Sequence, residues 1–453
     1  MGNLVDKVVA LAKRRGFVYP SSEIYGGLAN TWDFGPMGTL LKNNIRDLWW
    51  NKFVLSRDDM VGLDASIFLS PKIWEASGHV ASFTDALIDC RSCHYRTRAD
   101  HLIEDNVPDI KVEGLPVEEL TKIVREKQIK CPKCGKHDWT QVRRFNLLFE
   151  TSVGIIEEGK QKVYLRGEIA QGIFINFKNV LDTTRVRIPF GIAQVGKAFR
   201  NEITLGQFVH RTLEFDLMEF EYFLNSKDWE EKFEYFKNEM WNWTQELGIR
   251  KENLRWREHE EHERSHYSKK TMDIEYKYPF GWKEMFGIAY RTDFDLSNHA
   301  RHTGKDLSYT DPDTGEKFVP HVIEPTFGLS RLVGIVLFDS YSEDGDRIVL
   351  KLNPKLAPYK AAVFPLLANK PELVSKARSI YDSLRSDLLI AWDERGNIGK
   401  RYFAQDEIGT PFCITVDFES LENDTVTVRD RDSATQERIK IENLKKYLIE
   451  KLV

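Results

Sequence analysis

The stretch that decides the fold reads Gly196-Lys197-Ala198-Phe199-Arg200-Asn201-Glu202-Ile203-Thr204, and after a polar gap it continues as Phe215-Asp216-Leu217-Met218-Glu219-Phe220-Glu221. An apolar segment therefore ends at an arginine, and the next segment carries a carboxylate on alternate residues. Alternate residues of a strand share one face. The pattern predicts two antiparallel strands that bring a cation and several acids close to one small ligand. This ligand would have an anionic phosphate end and a cationic amine end.

This stretch resembles motif 2 of the class II aminoacyl-tRNA synthetases, and residues 323–331 (Ile-Glu-Pro-Thr-Phe-Gly-Leu-Ser-Arg) resemble motif 3. Two further blocks, at residues 22–44 and 166–177, resemble the homodimeric glycyl-tRNA synthetase family. The resemblance implies an α+β fold: a class II catalytic core on an antiparallel sheet, a small Cys-rich zinc insert and a C-terminal α/β anticodon-binding domain. We expect the core at residues 1–353, the insert within it at 86–145 and the C-terminal domain at 354–453.

The implied activity is that of a glycine–tRNA ligase, which activates glycine with ATP and transfers it to the 3′ end of glycine tRNA. One alternative is a catalytically inactive synthetase-like protein that binds nucleic acid or assists assembly. It is opposed by the presence of every arginine and acid that the resemblance requires. A synthetase for another small amino acid is opposed by Gly26-Gly27 and by the Glu168 block.

The bulk composition sets few limits on function. A length of 453 residues favours about three domains, or two with an insertion, and a formal net charge of −5 gives no global sign of a nucleic-acid binder. Residues 3–15 predict an amphipathic helix without the apolar core of a signal peptide. The longest apolar run, Leu332 to Phe338, is too short to cross a membrane. We therefore expect a cytoplasmic protein without a membrane span.

Two arginines carry the expected catalysis. A guanidinium can bridge two oxyanions, so Arg200 is expected to hold the α-phosphate of ATP together with the attacking carboxylate. Arg331, near the start of a helix, is expected by resemblance to meet the γ-phosphate of a bent ATP. Phe215 would stack on adenine and Glu202 would read its edge. The remaining expected ATP contacts are Asn201, Arg211, Glu284, Met285 and Gly328, and the expected Mg²⁺ ligands are Glu284 and Glu324.

Glycine offers only an amine and a carboxylate, so its site should be small and acidic. The resemblance assigns it Arg98, Glu168, Glu219, Arg291, Glu324 and Thr326. Discrimination is then steric, and no editing site is needed. The family commonly has serine at position 326; the extra methyl of threonine either tightens the pocket against alanine or is mere packing.

Four of the five cysteines form two CxxC pairs, Cys90/Cys93 and Cys131/Cys134. Two such pairs can complete a tetrahedral zinc site. Reduced buried cysteines, or disulfides in an exported protein, are the alternatives. Closed coordination leaves no open position, so the zinc is expected to be structural.

The sequence predicts two further helices, each with an alternative interpretation. Leu41, Ile45 and Trp49 recur at helical spacing within a helix from about Thr39 to Phe53. By resemblance this helix lies at a homodimer interface; otherwise its stripe packs on its own core. The run Glu258 to Glu263 has histidines at a metal-like spacing, but we interpret it as a solvated charged helix.

Overall fold

The computed structural model describes residues 4–107, 110, 112, 115–155, 159–203 and 207–452. Thr204 of the deciding stretch, Asn3 of the predicted first helix and the two chain ends lie outside the described residues. The strands up to residue 353 are β1 (Val18–Pro20), β2 (Trp32–Phe34), β3 (Met60–Gly62), β4 (Thr84–Asp89), β5 (Arg96–Arg98), β6 (Arg143–Asn146), β7 (Glu150–Val153), β8 (Gln161–Tyr164), β9 (Phe190–Phe199), β10 (Glu214–Leu224), β11 (Leu254–Glu258), β12 (Lys270–Tyr278), β13 (Gly281–Thr292), β14 (Tyr309–Thr310), β15 (Lys317–Phe318), β16 (His321–Gly328), β17 (Tyr341–Asp344) and β18 (Arg347–Leu350). The helices of the same part are α1 (Leu4–Arg14), α2 (Pro36–Trp50), α3 (Pro71–Ala76), α4 (His79–Ser82), α5 (Ala99–Asn106), α6 (Val117–Glu126), α7 (Ala170–Thr183), α8 (Trp229–Glu246), α9 (Phe294–Thr303) and α10 (Leu329–Ser340).

A seven-stranded sheet in the order β11-β12-β13-β16-β10-β9-β3 forms the centre of this part. Its neighbours are antiparallel except β3, which runs parallel to β9. Phe215 of β10 lies opposite Ala198 of β9, and Glu219 lies opposite Gln194. The predicted antiparallel pair is thus confirmed, and the class of fold is mixed α+β with an antiparallel sheet.

The two faces of the sheet differ because side chains alternate along each strand. Met218 and Phe220 of β10 enter the main hydrophobic core, whereas Glu219 and Glu221 project to the other face. Around Phe327 of β16 the core contains a cluster of aromatic rings with centroids 4.8 to 5.7 Å away: Trp49, Phe53, Trp243 and Phe286. Packing of this kind fixes the strand positions, and with them the acids on the opposite face.

Several element boundaries differ from the sequence predictions. Helix α2 begins at Pro36, because proline suits the first turn of a helix, and a π-type turn at Asn51–Leu55 follows it. Helix α10 begins at Leu329, so Arg331 lies within its first turn. The predicted charged helix at Glu258 to Glu263 is wrong: β11 runs up to Glu258 in register with β12, and the chain then turns.

Strand β4 opens a small module with its own sheet, in the order β5-β4-β6, and the helices α5 and α6. The module has a hydrophobic cluster of its own, which includes Ile88, Ile103, Leu120, Val124 and two of the cysteines.

The chain after residue 353 forms a second sheet with a separate core. Its elements are β19 (Ala361–Pro365), α11 (Pro371–Leu384), β20 (Ile390–Trp392), α12 (Ile398–Ile408), β21 (Phe412–Val416), α13 (Phe418–Asn423), β22 (Thr425–Asp430), β23 (Gln436–Lys440) and α14 (Ile441–Leu452), with the strand order β20-β19-β21-β22-β23. β19 is parallel to β20 and β21, which agrees with the α/β character expected for this part of the chain.

A buried carboxylate joins the two parts of the chain. Asp406, fully buried, accepts hydrogen bonds from Arg429 of its own domain at 2.8 and 3.0 Å and from Arg347 of the preceding part at 3.1 Å. Arg431 also donates to the carbonyl of Leu352 at 2.8 Å. Among the residues described, no helix has the length and apolar content that a bilayer span requires.

Candidate active site

A cavity of about 250 Å³ lies on the acidic face of the central sheet. It brings together most of the residues predicted from the sequence: Glu168, Arg200, Glu202, Arg211, Phe215, Glu219, Glu284, Glu324, Thr326, Gly328 and Arg331. One end is rich in arginines and the other in buried carboxylates.

Arg200 is fixed at the arginine end by backbone and aromatic contacts. Its Nε donates to the carbonyl of Gly167 at 3.0 Å. The guanidinium lies 5.2 Å from the ring centroid of Phe83 and 5.4 Å from that of Phe215. Contacts of this kind hold a planar cation by its faces while its edge stays available for oxyanions.

The other arginines of this end pair with cavity acids. Arg331 lies 3.0 Å from Glu284, whose side chain is 46% exposed, and Arg211 lies 3.4 Å from Glu202. Gly328 ends β16 and caps α10, so the amino terminus of a 12-residue helix lies at the cavity. Helix N-termini and guanidinium groups both favour anions. This end is therefore suited to a polyphosphate.

Arg291 is the cation of the acid end, and it has no exposed surface. It donates to Asp295 at 2.8 and 2.9 Å and to Glu324 at 2.8 Å, and it lies 3.6 Å from Glu168. The ring of Tyr267 covers it at 3.7 Å. Arg291 therefore stabilises the acids from beneath and does not itself line the cavity.

Three buried carboxylates, Glu219, Glu221 and Glu324, have oxygen atoms within 4.8 Å of one another. Burial, and next the charge of Glu324, raise the pKa values of Glu219 and Glu221 well above the ordinary value. Burial raises the pKa of Glu324 to about 7, against the opposing effect of Arg291. Within the described part of the chain, both oxygens of Glu221 lack a hydrogen-bond partner. A cationic group entering this end would relieve the repulsion between these carboxylates.

Glu168 behaves differently from its neighbours. Burial alone would raise its pKa, but His79 and Arg291 outweigh burial and lower the pKa far below the ordinary value. Glu168 therefore carries a fixed negative charge in the cavity.

Thr326 contributes a hydroxyl to the acid end. It lies opposite Glu219 on one side and Gly287 on the other, and its Oγ1 donates to Glu219 at 3.1 Å. The side chain lines the cavity, so its methyl group is placed where it affects the available space.

Four of the predicted contacts lie outside the cavity lining. Met285 is fully buried in the main core, and Arg291 is buried as described. Asn201 is half-buried, and its backbone N–H donates to Leu147. Arg98 belongs to the inserted module, where it pairs with Asp85 and Asp100 at 3.1 and 2.5 Å. It lines an adjacent cavity that it shares with Glu168 and Arg200.

The predicted magnesium ligands, Glu284 and Glu324, both line the cavity but lie at different places along the sheet. Ala289 is the residue opposite Glu324, and Glu284 lies five residues from Ala289 along β13. At about 3.3 Å per residue, their backbone positions are roughly 16 Å apart along the sheet. Glu324 is also engaged by Arg291.

His259 and Asp273 are among the cavity residues that the sequence did not predict. His259 Nε2 lies 2.7 Å from Asp273. Burial raises the pKa of Asp273 to about 6, against the lowering by His259. Asp273 has no motif to mark it, whereas His259 belonged to the histidine run that we assigned to a solvated helix.

The four predicted zinc ligands meet in the inserted module. The Sγ atoms of Cys90 and Cys134 are 3.6 Å apart, as are those of Cys93 and Cys131, and all four lie within 4.8 Å of one another. They are free thiols. In a tetrahedron with metal–sulfur bonds of about 2.3 Å, the sulfur atoms are about 3.8 Å apart. The cluster thus has the dimensions of a four-thiolate metal site.

Comparisons with known proteins agree with this organisation. Residues 360–451 match a family described as "Anticodon binding domain", and residues 113–147 match "Glycyl-tRNA synthetase insertion domain 1". The chain is 52% identical to a glycine–tRNA ligase of Caldanaerobacter subterraneus subsp. tengcongensis and 52% identical to that of Clostridium acetobutylicum, in each case over 99% of this chain and 98% of the relative. It is 53% identical to that of Acetivibrio thermocellus over 98% of this chain and 97% of the relative.

An anticodon-binding domain attached to a domain with such a cavity is the organisation of an aminoacyl-tRNA synthetase, and the chain is a ligase of this class. Identity above one half over nearly the full length then singles out one family. The chain belongs to the glycine–tRNA ligase family.

Proposed function

We propose that this chain activates glycine with ATP and transfers it to the 3′-terminal ribose of glycine tRNA. A carboxylate oxygen of glycine forms a bond to the α-phosphorus, and the bond from that phosphorus to pyrophosphate breaks. A ribose hydroxyl of tRNA then attacks the carbonyl carbon, loses its proton and displaces AMP. The observation that carries this proposal is a single cavity of about 250 Å³ with arginines at one end and buried acids at the other.

At the arginine end, the proposed work is positioning and charge neutralisation, which is most of what phosphoryl transfer needs. Arg200 bridges the α-phosphate and the incoming carboxylate. Arg331 meets the γ-phosphate beside the first turn of α10, and Arg211 is a further phosphate contact. Phe215 stacks on adenine, and Glu202 reads its edge. Gly328 lets the backbone approach the nucleotide, and Asn201 and Met285 are proposed to contribute through their backbone.

At the acid end, the ammonium group of glycine meets Glu168 and Glu219, with Glu324 behind them. Arg291 keeps these acids in place from beneath. Arg98, in the adjacent cavity that Glu168 also lines, is proposed to contact the substrate. Thr326 limits the space beside the α-carbon, so that a side chain as small as that of alanine meets its methyl group.

The test is exchange of pyrophosphate with ATP in the presence of glycine, alanine, serine or proline. Exchange with glycine alone is the expected result, and equal exchange with alanine contradicts a pocket of this size. The Arg200→Ala/Arg331→Ala double variant should lose the exchange. If the double variant keeps the exchange, other residues bind the phosphates, and the proposed function of the cavity is contradicted.

Thr326 variants sharpen the same test. Thr326→Gly removes both methyl and hydroxyl and should raise exchange with alanine. Thr326→Ser is the matched control, because it keeps the bond to Glu219 and loses only the methyl group. If neither variant changes alanine activation, Thr326 is a packing residue.

Magnesium accompanies ATP in this family, and it would neutralise the negative charge of the phosphates. Glu284 fits a ligand role, because its carboxylate is accessible and lies beside Arg331. One protein carboxylate together with phosphate oxygens is typical of magnesium sites. Glu324, which Arg291 also engages, is the second proposed ligand.

We further propose that Cys90, Cys93, Cys131 and Cys134 hold a structural zinc ion. Its contribution would be to the folding of the inserted module, since a closed four-thiolate site leaves no position for a substrate. Cys131→Ser should lose most of the bound metal, measured by atomic absorption, whereas Cys413→Ser, in the core of the second domain, should retain it. Full occupancy in the Cys131 variant would refute the assignment.

The remaining assignments concern architecture and partners. We propose a class II core over residues 1–353, the zinc insert over 86–145 and the anticodon-binding domain over 354–453, working in the cytoplasm.

Leu41, Ile45 and Trp49 of α2 are fully buried in the chain's own core, so this stripe is packing. We still propose a homodimer, because the loop before α2 exposes apolar side chains that a second copy would cover: Ile24, Tyr25 and Leu28, at 90%, 88% and 61% exposed. Light scattering of the parent and of Ile24→Glu tests this.

A further inference from the structure

His79 lies directly beside Glu168, and both side chains are buried, at 2% and 6% exposed. His79 Nε2 is 3.2 Å from Glu168 Oε2, and Nδ1 is 2.8 Å from the hydroxyl of Ser77. An ionised carboxylate only accepts hydrogen bonds, so Nε2 carries a hydrogen and donates it. The orientation of the ring thus sets the orientation of one carboxylate oxygen.

The ring of His79 is held on several sides. Trp74 and Phe83 contact it with ring centroids 5.4 and 5.2 Å away, and His266 does so at 6.3 Å. Rings packed in this way have little rotational freedom. His79 is therefore a rigid donor.

The second oxygen of Glu168 has its own donor. Gln171 Nε2 donates to Oε1 at 2.8 Å, while its carbonyl oxygen lies 2.8 Å from His299 Nε2. Donors from two separate segments, α4 and α7, therefore fix the two oxygens. Of these donors, His79 comes from a segment that no motif in the sequence marked.

We propose that His79 is a positioning residue for glycine binding, which aims the Glu168 carboxylate at the substrate's ammonium group. This rests on the proposed function, in which Glu168 contacts glycine. His79 lines the adjacent cavity that contains Arg98, and not the cavity that contains Glu219 and Thr326, which it reaches through Glu168.

The low pKa of Glu168 supports this role, since burial alone would raise it and His79 is the largest opposing influence. Glu219 and Glu221 have raised pKa values. Glu168 is thus the carboxylate with the most firmly fixed charge in the acid end, and its direction matters most for an ammonium group.

Two variants separate positioning from packing. In His79→Gln the amide nitrogen reaches the place of Nε2 and can still donate to Glu168. In His79→Asn the amide reaches only the place of Nδ1. Losing a hydrogen bond to a charged group weakens binding by about tenfold or more, so His79→Asn should raise the KM for glycine by about this factor in pyrophosphate exchange. The KM for ATP should stay unchanged, and His79→Gln should restore most of the glycine affinity.

Two further variants serve as controls. Ser77→Ala loosens the ring and should raise the KM for glycine by less than His79→Asn does. His321→Asn changes a histidine whose ring bonds Tyr290 away from Glu168, and it should leave the KM for glycine at the parental value. Equal losses in both His79 variants, with the KM for ATP rising in parallel, would show a merely structural role and overturn the proposal.

Glu168→Gln distinguishes failure of this inference from failure of the proposed function. If it leaves the KM for glycine unchanged, the proposed role of Glu168 fails, and that of His79 fails with it. If it raises the KM while His79→Asn does not, only the inference on His79 fails. Should thermal unfolding show that His79→Asn does not fold, the comparison of His79→Gln with Ser77→Ala decides. A selective rise for Ser77→Ala supports the proposal, and parental values overturn it.

Discussion

The two ends of the candidate active-site cavity accommodate buried charge in opposite ways. At the arginine end, the cations lie near solvent and are held by backbone carbonyls, aromatic faces and accessible acids, as with Arg200 and Arg331. At the acid end, Arg291 and its carboxylates are buried and satisfy one another. The first end can therefore be altered at a cost to catalysis alone, whereas the second end is also part of what keeps the sheet folded.

The largest expected effect is that of Arg291→Met. It leaves Asp295, Glu324 and Glu168 buried without their shared cation, and breaking a buried ion pair costs about 3–5 kcal/mol. We expect the free energy of unfolding in urea to fall by about this amount. A loss of activity with unchanged stability would show that the acid end is not structural.

The matched change at the other end is Arg200→Met. Removing a charge that stabilises a transition state costs roughly 10²–10³ in rate, so the glycine-dependent exchange should fall by about this factor. Because the side chain is only partly buried, the free energy of unfolding should change by less than about 1 kcal/mol. The same urea experiment measures this, and a large destabilisation would erase the contrast between the two ends.

The smallest expected effect is that of Glu221→Gln, and its sign depends on pH. The folded state raises the pKa of Glu221 through burial and the neighbouring Glu324, so it binds the proton more tightly than the unfolded state does. The resulting stability is present below the unfolded pKa, about 4.3, and is lost as the pH rises through the folded pKa. Glutamine never ionises. The variant should therefore gain stability relative to the parent between pH 5 and pH 8 in urea unfolding, and a relative loss over this interval would contradict the raised pKa.

The sequence predicted a feature of the site correctly where that feature depends on a local pattern of residues. The alternation of acids in β10 predicted which face Glu219 occupies, and the paired CxxC motifs predicted four thiols that meet. Where partners come from distant segments, no periodicity reveals them. His79 and Asp273 reach the site only because α4 and β12 pack beside it. Glu284 and Glu324 looked interchangeable as acids, but strand register separates them by five residues. The helix predicted for Glu258 to Glu263 is wrong because Glu258 ends β11, which pairs with β12, and the residues after it form a turn.

The carboxylate of Asp406 has a consequence for the movement of the whole molecule. Since it is shared by Arg347 and Arg429 in a buried junction, swinging one domain away from the other would break the ion pair between Asp406 and Arg347. The two domains are therefore expected to travel as a single body. The proposed tRNA would then contact the cavity and the C-terminal domain at a fixed separation.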